Sequence, residues 1–429
     1  MPLSNLRMTM KTILCLLAAV ALTTLATAEN NPFHLKDGDR VVFYGDSITD
    51  QRLYTTFAET FVVTRFPGMN VSFVHSGWGG DRVTGGGGGA IDLRLTRDVL
   101  AHKPTVMTVM LGMNDASYKA FDAGVYSTYT NGYQHIVDSM KKNSPSTRMT
   151  LIQPSPFDDV TQPPKFEGGY NNVLVQYGAY VKDLATREHL GVADLNTAVV
   201  AALEKAKTKD AEKAKKIIPD RVHPGASGHL LMAAELLKAW NAPKFVSCVE
   251  IDAANKLVAK QCCTTISGLS TKGTVSWSQL DQALPMPVDM GDETMKLAVN
   301  SSDFIEALNQ QTLKVTGLTG AKYVLKIDGN RTGEFTREQL EAGINLAMMD
   351  TPMAKQASEV HKLTIQHNQI HFERWREVQV RLAKHASAKI SKATKALLAA
   401  FDSEEAAVIT KQRSAAKPVK HQFELAGTN

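Results

Sequence analysis

Three things are scarce in this chain, and each scarcity narrows what it can be. Cysteine is the first. Only four occur in 429 residues, and Cys15 lies in the N-terminal apolar run, which argues against a disulfide-dense scaffold or a zinc module built on paired cysteine ligands. Long apolar stretches are the second: after Ile13–Leu25 nothing is long and apolar enough to span a bilayer. Net charge is the third. The formal +5 includes Arg7 and Lys11, and Lys384–Asn429 carries eight Lys/Arg against four Asp/Glu, so the rest of the chain is near −1. No basic footprint for nucleic acid remains. There is also no internal repeat, no Walker motif, and no G-x-G-x-x-G opening a helix from a strand, which argues against a phosphate cradle.

What is present is ordinary for a soluble globular protein: 43% apolar and 21% charged residues, in a chain long enough for two or three domains. Arg7 and Lys11, the run Ile13–Leu25 and the small residues Ala26-Thr27-Ala28 before Glu29 read as a secretory signal cleaved after Ala28. The run is short for a membrane anchor, and Cys15 has no small-residue site directly before it, which argues against lipidation. A secreted or periplasmic protein is expected, without stable membrane insertion. Export would place Cys248, Cys262 and Cys263 in an oxidising compartment. One disulfide is then expected, joining Cys248 to Cys262 or Cys263, because adjacent cysteines seldom bridge each other.

From Arg40 to Trp240 short apolar runs alternate with helical patterns. Strands are expected at Arg40–Tyr44, Val71–His75, Thr105–Leu111, Met149–Gln153 and Gly191–Asp194. Helices are expected at Leu53–Phe66, Ile91–His102, Tyr126–Lys142, Val173–His189 and Ala226–Trp240. Such alternation predicts a parallel sheet covered by helices on both faces, with its chemistry on the loops at the carboxyl ends of the strands. Those loops hold the informative residues. Val41–Tyr44 runs into Gly45-Asp46-Ser47, and the second strand into Trp78-Gly79-Gly80-Asp81 and the five glycines Gly85–Gly89. The third runs into Gly112-Met113-Asn114-Asp115, and Asp220-Arg221-Val222-His223 precedes the last helix. Taken singly, Asp46 or Ser47 is a helix cap, Gly112–Asp115 a turn and His223 a structural histidine.

Together and in this order, the blocks Gly45-Asp46-Ser47, Gly79-Gly80-Asp81, Gly112-Met113-Asn114-Asp115 and Asp220-Arg221-Val222-His223 resemble the SGNH (GDSL-type) hydrolase family, in particular secreted bacterial esterases with a C-terminal extension. The resemblance covers roughly Arg40 to Trp240, and departs in having Ile48 where leucine is usual. It implies a flavodoxin-like three-layer α/β fold and hydrolysis of esters through an acyl-enzyme. A serine hydroxyl is a weak nucleophile at neutral pH, so His223 would take the Ser47 proton while Asp220 fixes the ring. The oxyanion donors implied are the Ser47 and Gly80 N–H groups and the Asn114 side chain, with Gly79 an equally eligible donor. No metal or other cofactor is called for.

For the substrate, export and the lack of a long apolar acyl-binding stretch favour a short acyl group, such as acetyl, on a small-molecule or polysaccharide ester. The alternatives are a lipase or lysophospholipase, or a non-catalytic carbohydrate-binding protein on the same scaffold. Trp78, Tyr44 and Tyr118 are candidates for stacking on sugar rings or for plain packing, and the loop Pro154–Gly169 is expected on the same rim.

The expected organisation is a signal at 1–28, the hydrolase domain at 29–243, a β-rich module at 244–335, a helical segment at 336–385 and a basic helical or disordered tail at 386–429. Asp328–Phe335 has an EF-hand look, but position twelve is Gln339 and a strand precedes it, so a turn between strand and helix is the better reading. His361, His367 and His371 invite a metal reading, and His367 and His371, four apart, would share a helix face, but no carboxylate motif adjoins them, which favours a packed or solvated face. The amphipathic stretch from Lys355 to Leu382 is expected to return to the catalytic domain, as a brace at its back in preference to a wall at its rim.

Overall fold

The structure, a computed structural model, describes residues 32–385 and 387–428. The expected signal segment at 1–28 lies outside the described residues. All the elements that follow belong to one unit within His34–Asn429.

Val41–Tyr44 is an unbroken apolar run because β1 (Arg40–Gly45) is buried on both faces. It leads into the single turn α1 (Ser47–Asp50) and then α2 (Leu53–Arg65). The chain continues through β2 (Ser72–Gly77), the glycine hairpin β3 (Gly85–Gly86) and β4 (Gly89–Ala90), α3 (Ile91–Asp98), β5 (Val106–Met110), α4 (Ala123–Asn143), β6 (Arg148–Ile152), α5 (Gly169–Arg187), β7 (Gly191–Ala193), α6 (Thr197–Lys209), α7 (Ala211–Ala214) and α8 (Ala226–Ala239). The sheet order is β2-β1-β5-β6-β7, with every pairing parallel. This is the expected flavodoxin-like α/β architecture. The chain first runs outward to β2 and then reverses, so the crevice of the sheet opens between β1 and β5. Ser47 follows one of these strands and Asn114 the other.

Beyond Pro243 come β8 (Phe245–Asp252), β9 (Leu257–Cys262), β10 (Thr264–Ser270), β11 (Val275–Asp281), α9 (Glu293–Val299), α10 (Phe304–Leu308), β12 (Gln310–Thr316), β13 (Lys322–Ile327), β14 (Asn330–Thr336), α11 (Arg337–Ala342) and β15 (Ile344–Asn345). The chain ends with α12 (Pro352–Phe372), which runs on into a π-helical segment Glu373–Val380, then α13 (Ala388–Ala415) and β16 (His421–Thr428). Two sheets form, β10-β11-β16-β13-β14 and β15-β12-β8-β9. Period-two burial along β12 and β16 turns Leu313 and Val315, and Phe423 and Leu425, into a core shared with Trp277 and Leu325. Val63 of α2 and Met353, Ala357 and Val360 of α12 join that same core. Cys248 and Cys262 are bonded across β8 and β9, leaving Cys263 free and exposed.

Three expectations need correction. The tail does not fade: α13 packs along α12, and β16 is the middle strand of its sheet, between β11 and β13. The alternation His421–Leu425 specifies that strand. Second, the helical segment expected at 336–385 is interrupted: its first helix stops at Ala342, because Gly343 takes φ +100 and the chain turns into β15 beside β12. Third, Asp328-Gly329, both at positive φ, close the hairpin β13–β14 and do not lead to a helix. The Asp328 carboxylate is spent on the Gln422 N–H and His421 Nδ1. The Ala/Lys-rich stretches of α6 and α7 are helical as well.

Candidate active site

Ser47 opens α1 immediately past the end of β1. The bend is tight enough that a side chain at Gly45 would collide with the Thr49 side chain and the Met110 carbonyl. Asp46 caps the turn, its Oδ1 accepting the Ile48 N–H at 3.0 Å. Burial without a counter-cation pushes the Asp46 carboxyl up to about 7, with Asp115 and Asp81 adding to the rise against that backbone hydrogen bond.

The Asp220–His223 turn arrives from the far end of the domain. Asp220 Oδ1 accepts the N–H groups of Val222 (2.9 Å) and His223 (2.7 Å), and Oδ2 lies 2.7 Å from His223 Nδ1. The other ring nitrogen, Nε2, lies 2.8 Å from Ser47 Oγ. A carboxylate on Nδ1 imposes the tautomer whose Nε2 accepts the serine proton. Burial works against the charged Asp220, but the His223 N–H, its ring and the Val222 N–H outweigh it and hold the carboxyl below its ordinary range. Arg221, at φ +72, anchors the turn on the Pro154–Gly169 loop through Gln162 Oε1 (3.1 Å) and the Pro163 carbonyl (2.9 Å), which puts that loop at the site as expected. Behind the ring, burial and then His223 lower His229 to about 3; its Nδ1 accepts the Tyr54 N–H and its Nε2 faces Gln51 Oε1.

The loop after β2 makes a four-residue turn closed by Asp81 N–H on the Trp78 carbonyl (3.1 Å), with Gly80 at φ +77 in third place as a type II turn requires. The two glycines are not equivalent. The Gly79 N–H donates to Asp50 Oδ2 at 3.1 Å, whereas the Gly80 N–H has no protein partner among the described residues. Asn114 Nδ2 donates one hydrogen to the Asp81 carbonyl (3.1 Å) and keeps the other, while its Oδ1 accepts from Tyr118 Oη (3.0 Å). Burial, together with Asp46 and Asp220, pushes the Tyr118 phenol up to about 12, so it stays a donor.

Of the aromatic candidates, Tyr44 is fully buried and offers no surface. Trp78 has one face covered by the Arg376 guanidinium at 3.5 Å, and Trp375 meets it edge-on. Tyr118 is exposed at the mouth. The five glycines are shaped by packing: a side chain at Gly88 would strike Arg94 and Trp78. His367 and His371 face carboxylates, Glu59 and Glu405, and among the described residues no group of three or more His, Cys, Asp or Glu is arranged to hold a metal. Arg376 and its partner Asp50 had no signal in the sequence, since they are 326 residues apart.

The doubly wound α/β fold, with a Ser-His-Asp chain at its switch point and the blocks carrying Ser47, Gly80, Asn114 and Asp220–His223 on one rim, is that of the SGNH ester hydrolases. Residues 43–231 match the model of the GDSL-like Lipase/Acylhydrolase family, and that region is a GDSL-like ester-hydrolase domain. It is similar to an acetylxylan esterase of Geobacillus stearothermophilus, 24% identical over 226 residues, covering 47% of this chain and 93% of that protein. Among solved structures it is similar to a gut microbial diltiazem-metabolizing enzyme, with 28% identity, a TM-score of 0.80, and 92% of this chain and 98% of that one covered. The structure of Axe2, an acetylxylan esterase from Geobacillus stearothermophilus, aligns with 23% identity and a TM-score of 0.39 over 48% of this chain and 96% of that one. No helix of the described residues is long and apolar enough to cross a membrane.

Proposed function

We propose that this protein is an exported serine esterase that removes short acyl groups, acetyl above all, from carbohydrates. Ser47 Oγ attacks the ester carbonyl as His223 Nε2 takes its proton, and His223 returns that proton to the departing alcohol. Water, activated by the same ring, then releases the acid from Ser47. The oxyanion is met by the N–H groups of Ser47 and Gly80 and by Asn114 Nδ2, each donor worth ~10²–10³ in turnover. The observation that carries this reading is the unbroken chain from Asp220 Oδ2 through His223 to Ser47 Oγ.

The short acyl group is supported by the polar groups on this rim: Asp50 in the same helical turn as Ser47, and the Tyr118–Asn114 hydrogen bond. An apolar groove of about 370 Å³ lined by Phe66, Pro67, Met69 and Phe245 contains none of the triad residues. Similarity to a protein described as an acetylxylan esterase points the same way. Export rests on Arg7, Lys11 and the run Ile13–Leu25, and a mature chain beginning at Glu29 is its test. The substrate is tested by acetate release from acetylated xylan, alongside p-nitrophenyl esters of increasing length. The acetyl ester should be preferred over the palmitoyl ester by roughly ten-fold or more in kcat/KM. A preference for the long chain would make the protein a lipase.

A further inference from the structure

The oxyanion turn Trp78–Asp81 has a built-in weakness. In a four-residue turn the peptide between the two middle residues is the one that flips between type I and type II, and here it joins Gly79 to Gly80 and carries the Gly80 N–H. With glycine on both sides neither orientation is sterically barred, so sequence alone does not hold the donor in place. Something outside the turn has to do so.

We infer that Arg376, in the C-terminal π-helical segment outside residues 43–231, is a positioning residue for the oxyanion hole and acts through Asp50. Arg376 Nη2 donates to Asp50 Oδ1 and to the Gly77 carbonyl, each at 2.9 Å. The other oxygen of the same carboxylate, Oδ2, receives the Gly79 N–H at 3.1 Å. One guanidinium therefore fixes the entry to the turn directly and the amide beside the flipping peptide through a single bridging side chain. The guanidinium also lies over Trp78, 3.5 Å from the ring centroid, and so holds the first residue of the turn. The last residue, Asp81, is held by Arg94 Nε at 2.7 Å, and Arg94 is paired with Asp98. Asp98 Oδ1 in turn takes the indole N–H of Trp375, the neighbour of Arg376, at 2.7 Å. Consecutive residues of one segment thus reach both ends of the turn. Such widened helical turns recur at functional sites.

The inference rests on the proposed roles of Ser47 and Gly80, and its test separates the two. In full-length protein hydrolysing p-nitrophenyl acetate, Arg376→Ala should lower kcat roughly ten- to a hundred-fold, below the cost of losing an oxyanion donor outright, and change KM by less than about three-fold. Millimolar guanidinium should restore part of that rate. Asp50→Asn breaks the bridge from the catalytic side without touching the helix seat, so it should reproduce the loss, and the double variant should be no slower than either single one. Arg374→Ala, which removes a contact to Asp402 on α13, should keep the wild-type kcat. Wild-type kcat in folded Arg376→Ala or Asp50→Asn overturns the inference, as does a loss in Arg376→Ala matched by Arg374→Ala or unaffected by guanidinium. Should Ser47→Ala keep its activity, the proposed mechanism itself fails, whatever Arg376 does.

Discussion

Two histidine–carboxylate pairs of nearly equal length occupy opposite surroundings in this molecule. His223 Nδ1 and Asp220 Oδ2 are 2.7 Å apart, with side chains 37% and 55% exposed; His367 Nε2 and Glu59 Oε1 are 2.6 Å apart, with both side chains 2% exposed. The buried pair is wrapped in further donors: Glu59 also faces His75 Nε2 (3.3 Å), Asn368 Nδ2 (3.3 Å) and Gln412 Nε2 (3.2 Å). Those partners come from β2, α12 and α13, so one carboxylate ties the catalytic domain to both C-terminal helices. Burial alone would discharge these groups, yet the mutual attraction wins, holding Glu59 far below its ordinary range and His367 up at about 9. A pair locked in that way cannot pass a proton on during turnover. The open pair can, because its second ring nitrogen meets a hydroxyl and a substrate has access.

The largest expected effect is on the open pair. Ser47→Ala or His223→Ala should each cost about 10⁶-fold in kcat, and Asp220→Asn about 10⁴-fold, since the ring remains but its tautomer is no longer enforced. The Ser47/His223 double variant should be no slower than either single one. Near-additive losses, or full activity in Asp220→Asn, would break the assignment of that pair as the working one.

Glu59→Ala tests the closed pair and should show the reverse pattern. Removing one partner of a buried ion pair costs about 3–5 kcal/mol of stability, to be read by denaturant unfolding, while turnover in the folded fraction falls far less than in the triad variants. A triad-sized loss of kcat without loss of stability would erase the distinction.

A smaller effect sharpens it through pH. His367 titrates higher in the folded protein than its ordinary 6.5, so its stabilisation is complete below that pH and drains away as pH rises toward about 9. Glu405, held down to about 2 by His367 and His371 against the cost of its burial, contributes stability that is lost as pH falls from 4.5 toward 2. The Tm should therefore decline between pH 6.5 and 9, and His367→Gln should flatten that decline. An equally steep decline in the variant would place the titration elsewhere.

These pairs also differ in how far the sequence exposes them. Ser47, Asn114, Asp220 and His223 sit in short turns at strand ends or before a helix, where glycine, proline and polar residues write a local signature, and Asp220 and His223 are three residues apart. The strands β1, β2, β5, β6 and β7 were legible for the same reason, each being a short apolar run between breaks. Glu59 and His367 lie 308 residues apart on helices whose own patterns say only that one face is buried. Arg376 looks like any basic residue on an amphipathic helix, and that segment reaches the rim of the active site where a brace at the back was expected. The strand β16 has only the short alternation His421–Leu425 to mark it, after an Ala/Lys-rich lead-in and with partners β11 and β13 distant in the chain.

The most direct test of the central claim is labelling with a fluorophosphonate, followed by peptide mass spectrometry and titration of residual esterase activity. Our account predicts one covalent adduct per chain, on Ser47, with activity lost in proportion and no adduct in Ser47→Ala. Complete inactivation with Ser47 unmodified, or full activity with Ser47 modified, would contradict it.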